Sequence, residues 1–136
     1  MRKMFLTALF AMALSGCVTQ PQRKTVSAPV DVGPVPECGT KDVCDAMWVA
    51  ALDSLQLATR MKIQTANDFY IQTFTSPSIP NVQGSARKVP LGEGRYAIKS
   101  EFGCRMGCEE WAASAAKLFN LRVANAGKRL EPLGAK

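Results

Sequence analysis

The chain has 136 residues, with 17 Lys and Arg against 11 Asp and Glu, a formal net charge of +6 and no His. The lack of His excludes His-based nucleophilic triads and leaves acid–base work near neutral pH to a perturbed carboxylate or lysine. Basic residues never run longer than two in a row, so the charge does not form a nucleic-acid footprint.

The chain opens on a three-part export signal: Arg2 and Lys3, then the apolar run from Met4 to Ala13, then small residues. The run is about ten residues, roughly half of what a permanent transmembrane helix requires. The next four residues are Leu14-Ser15-Gly16-Cys17, and they resemble the lipobox of bacterial lipoproteins. The resemblance implies that residues 1–16 are a signal peptide removed by a dedicated peptidase. It also implies that Cys17 carries a diacylglyceryl thioether and that the new amino group receives a further acyl chain such as palmitate. Two or three chains attach durably, because each buried methylene contributes about 0.8 kcal/mol and one chain alone is marginal. Val18, a non-acidic residue after the cysteine, implies sorting to the outer membrane, with the protein facing the periplasm. The membrane is thus the first expected partner, through the lipid on Cys17.

Cleavage leaves 120 of the 136 residues, with 15 basic against 11 acidic side chains, or +4. That length suits one domain. Residues 17–37 hold Pro21, Pro29, Pro34 and Pro36 without apolar periodicity, and read as a linker that spaces the domain from the bilayer. At roughly 3 Å per residue where polyproline-like, it reaches several tens of ångströms.

The domain is expected over residues 38–124. A helix is predicted from Asp42 to Arg60, with Val43, Met47, Ala51, Leu55 and Ala58 on its apolar face, widened by Trp48 and Leu52, and Asp42 as its cap. Met61 to Thr65 alternates, Asn67-Asp68 offers a turn, and Phe69 to Phe74 is rich in β-formers, so a hairpin follows. The Pro77 and Pro80 stretch, residues 76–81, is a loop. Val82 to Val89 forms a third strand ended by Pro90. The turn Gly92-Glu93-Gly94 leads into the clearest strand, Arg95 to Phe102. A second helix is predicted from Glu109 to Val123, with Trp111, Ala112, Ala115, Phe119 and Val123 on one side. Residues 125–136 read as a flexible basic tail. The expected fold is α+β: a small antiparallel meander of about four strands, a helix before it and a helix after it, with disulfide staples.

Beyond Cys17 the chain holds Cys38, Cys44, Cys104 and Cys108, an even number for an oxidising compartment. A helix followed by four strands places Cys44 about a helix length, roughly 27 Å, from Cys104, which favours Cys38 with Cys44 and Cys104 with Cys108. One long strand over residues 61–74 reverses the parity and brings cross-pairs within reach. The spacings C-x5-C and C-x3-C match neither zinc knuckles nor a Cys-x-x-Cys redox motif, so no metal or cofactor is expected.

Asp45 with Asp53, and Glu109 with Glu110, read as solvated helix surfaces, and Gly92-Glu93-Gly94 as a hairpin turn. No enzymatic constellation stands out. The expected role is a structural or protein-interaction module with an envelope protein as partner, within a secretion, transfer or exclusion assembly. The alternative is a binding or inhibitor module for cell-wall glycan or a cell-wall hydrolase, with Tyr70 and Phe74 as the candidate binding surface.

Overall fold

The structure, a computed structural model, describes residues 31–75, 82–104 and 107–130. Its elements in chain order are β1 (Glu37–Cys38), α1 (Lys41–Thr59), β2 (Ile63–Ala66), β3 (Tyr70–Thr73), β4 (Gln83–Gly92), β5 (Arg95–Gly103) and α2 (Glu109–Lys128). The strands form one antiparallel sheet in the order β1-β5-β4-β3-β2. The α+β class, the meander and the two flanking helices are as expected, and the sheet has one strand more.

That extra strand comes from the segment read as linker. Glu37 and Cys38 pair with Ala97 and Tyr96, the Pro36 carbonyl accepts the Ile98 N–H at 2.8 Å, and the Val32 carbonyl accepts from Asn120 Nδ2 at 3.1 Å. The domain therefore begins several residues before Cys38. A two-residue strand preceded by prolines has no periodicity to read, and only its partner β5 defines it.

Helix α1 is capped by Thr40, not Asp42: Thr40 is extended and its hydroxyl accepts from the Val43 N–H at 3.4 Å, while Asp42 lies in the first turn. Its far end closes on Arg60 in a left-handed conformation, whose N–H reaches the Gln56 carbonyl at 2.8 Å. In the β2–β3 turn the Asn67 side-chain oxygen accepts from the N–H groups of Phe69 and Tyr70 at 2.9 and 2.8 Å. A local side-chain loop of this kind is what Asn supplies at turns.

Strand β4 runs through Pro90 to Gly92, which corrects the expected stop. The N–H of Lys88 donates to the Phe69 carbonyl, toward β3, and alternation points the nitrogen of Pro90 the same way. Pairing with β3 ends at Arg87 with Tyr70, so the missing donor of Pro90 falls on an open edge and costs no ladder bond. Past it, Glu93 and Gly94 both have positive φ, 53° and 75°, and close the two-residue hairpin loop.

The core lies between the two helices and one face of the sheet. Met47, Leu55, Ile71, Ile98, Phe119 and Val123 are its fully buried large apolar side chains. Phe102 and Phe119 meet edge to face, ring centroids 6.0 Å apart. Helix α2 continues to Lys128, past its expected end at Val123 and into the segment read as a tail, because Gly127 packs directly on Met47 and Val43 of α1. The predicted face of α2 holds for Ala115, Phe119 and Val123 but not for Trp111, which is 60 % exposed.

One buried polar atom lacks a partner among the described residues: the Ser54 hydroxyl, in the middle of α1. A buried hydroxyl without a hydrogen bond carries a desolvation cost, and Ala is the better helix former. Ser54→Ala is therefore expected to raise stability by about 1 kcal/mol, read as a higher midpoint in urea. A clear loss would show that the hydroxyl is bonded after all.

Candidate functional site

Of the residues singled out from sequence, Cys17 and the loop at 76–81 lie outside the described residues. The other four cysteines form two disulfides, Cys38–Cys44 and Cys104–Cys108. Both are the local pairs that a helix followed by an even number of strands permits. The first ties the start of α1 to β1 at the sheet edge, and the second spans the turn from β5 into α2. Neither leaves a free thiol.

Tyr70 and Phe74 are not brought together. Both have the strand parity of the sheet face turned away from the helices, but they stand four positions apart, about 13 Å at strand rise. The Tyr70 hydroxyl is engaged with the Gln72 side-chain oxygen at 3.1 Å. Phe74 lies just past the end of β3, where its N–H donates to the Lys62 carbonyl. Among the helix carboxylates, Asp45 is held below the usual carboxylate range, chiefly by its hydrogen bond to the Lys41 ammonium, and Lys41 is correspondingly raised. A carboxyl poised as a general acid needs the opposite shift.

Two surfaces stand out among the described residues. The first is an apolar patch on the helices, where the last turn of α1 meets the first turns of α2. Leu57, Trp111 and Leu118 are exposed there and line, with Ala58, Val82 and Ala115, a shallow concavity of about 450 Å³. Trp111 and Leu118 are seven residues apart and so share a stripe of α2, and Leu121 adds a further exposed leucine. Trp111 misses the core because it enters α2 at its first turn, beside the end of α1, where no further element among the described residues covers it.

The second surface is a groove of about 770 Å³ at the other end of α1, between that helix, the β2–β3 turn and the β4–β5 hairpin. Its walls include Lys41, Asp45, Trp48, Phe69, Lys88 and Tyr96. The Trp48 indole N–H donates to the Asn67 carbonyl at 2.9 Å, which fixes the ring against the turn. Lys88 lies over that ring, its ammonium 5.0 Å from the centroid, with its side chain only 10 % exposed. Sequence reading did not single out Lys88, yet the signal was there: Gly84, Ala86 and Lys88 share one parity of β4, and the first two are buried. A lysine on the inward parity of a strand is the anomaly.

No protein-family model matches the chain, and no curated protein matches it either.

Proposed function

We propose that this protein is a lipoprotein of the bacterial envelope, tethered to the outer membrane through Cys17, whose domain docks on another envelope protein within a secretion, transfer or exclusion assembly. The observation that carries the docking role is the patch formed by the exposed Leu57, Trp111 and Leu118 on the paired helices. A contiguous apolar surface of this kind, with polar residues around it, is costly in water and is the usual mark of a protein contact. Trp is also the residue most enriched at the energetic centre of such contacts. The tether supports the same reading, because an anchored domain meets membrane-bound partners at raised effective concentration.

Two variants test the proposal in intact cells. Cys17→Ser is expected to move the protein from the detergent phase to the aqueous phase and to slow signal cleavage; unchanged partitioning overturns the lipid anchor. Trp111→Glu, placed on an exposed position, is expected to keep the anchor and the fold while abolishing the crosslink to an envelope protein that the native form gives. Capture of cell-wall fragments or a cell-wall hydrolase, equally by native and Trp111→Glu forms, would replace docking with the binding or inhibitor role.

A further inference from the structure

We infer that the groove over Trp48 is a binding site for the C-terminal end of a peptide, with Lys88 receiving the terminal carboxylate. The inference does not depend on the lipid anchor or on the Trp111 patch, which lies at the opposite end of α1.

Lys88 occupies a costly position for a charged side chain. Its stem leaves β4 on the helix-facing side, in line with Gly84 and Ala86, and its side chain is nine-tenths buried. Its stem is covered while the ammonium opens on the groove, where it has lost part of its water and gains from a partner. The protein supplies that partner only in part. The Trp48 ring faces it at 5.0 Å, and the nearest carboxylate oxygen, Asp45 Oδ1, stands at 3.9 Å, beyond hydrogen-bond reach. Asp45 is itself engaged by Lys41 through its other oxygen. Among the described residues the three donors of Lys88 therefore make no hydrogen bond, while they border an open groove. Lys41 and Lys88 both turn to Asp45, which is closer to Lys41, so a further anion would give Lys88 a partner of its own.

The rest of the lining narrows the ligand. Asp68 also lines the groove, which disfavours a bare multivalent anion and suits a ligand that carries N–H donors beside its carboxylate. A peptide end has both. Val49 and Phe69 are exposed on the same walls, 64 % and 58 %, and with Trp48 and Tyr96 they offer apolar contact to a terminal side chain. The pinned indole and the short hairpin loops keep these groups in place before a ligand arrives, which lowers the ordering cost of binding.

The test uses the purified full chain in a non-ionic detergent, with Trp111→Phe so that Trp48 is the remaining tryptophan of the two. Trp48 emission is followed during titration with the tripeptide acetyl-Ala-Ala-Phe as the free acid, the same peptide as the C-terminal amide, and the carboxylated sugar N-acetylmuramic acid. Saturable binding of the acid, with the amide weaker by about tenfold or more, is expected, as befits loss of a charge-assisted bond. Lys88→Met, which keeps the stem, should lower affinity for the acid to that for the amide. Equal binding of acid and amide, or no saturable binding of the acid by the native chain, overturns the inference without reference to any variant. A saturable response to the sugar alone overturns it as well and assigns the groove to glycan carboxylates.

Discussion

Phe119→Ala is expected to lower the free energy of unfolding by about 3–5 kcal/mol, the range for truncating a fully buried aromatic side chain. Phe119 is the largest of the fully buried side chains and has no exposed surface. It projects from the middle of α2 into the layer where Leu55 of α1 and Ile98 of β5 also lie. Its ring edge meets Phe102, so truncation removes both burial and an aromatic contact. Small domains hold roughly 5–15 kcal/mol in total, so the loss is a large fraction of the whole. Thermal unfolding followed by circular dichroism should show a midpoint lower by more than about 12 °C. A shift of only a few degrees would mean that α2 does not bury this face against the sheet.

Gly84→Val is expected to be the next most damaging substitution, at about 3 kcal/mol, although Val is the better strand former. A Cβ added at Gly84 would stand 2.8 Å from Leu55 Cδ2 and 2.9 Å from Phe102 Cε1. Neither neighbour can yield easily: Leu55 is fully buried, and Phe102 is held by the Phe119 ring. The backbone cannot retreat either, because the N–H and the carbonyl of Gly84 are both bonded to the Thr73 hydroxyl, at 3.0 and 3.2 Å. Equilibrium denaturation in urea reads the loss, and Gly84→Ala should show the same sign with a smaller effect. Val tolerated without loss would show that α1 packs farther from β4 than described. The glycine is thus there for close approach of helix and sheet, a role that strand propensity alone would count as a defect.

The two surfaces at opposite ends of α1 differ in kind. The Trp111 patch is apolar and open, and it follows from a helix whose first turn lies beyond the cover of its neighbours among the described residues. The Lys88 groove is a partly satisfied charge cluster inside a rigid frame built by the Cys38–Cys44 disulfide, the Asn67 turn and the β4–β5 hairpin.

Several features were legible from residue order because they depend on local periodicity and chain parity. Spacing of three and four placed both helices to within a few residues, except at the end of α2, and alternation found β5. Counting four strands favoured the local cysteine pairs, since an even number between two helices keeps Cys44 and Cys104 at opposite ends of the sheet, and the break between β2 and β3 decided against one long strand and its cross-pairs. Tertiary structure decided the rest. Strand β1 exists only because β5 offers it a ladder, and Pro90 stays in β4 only because β3 stops short of it. Trp111 is exposed because α1 ends beside it, and α2 outlasts its apolar pattern because Gly127 lets Met47 come close. Lys88 has its side chain largely covered where Trp48, fixed by a turn nineteen residues away, sets its ring under the ammonium. Periodicity states which side of an element a residue faces, and only the neighbours brought there by the fold determine what covers it.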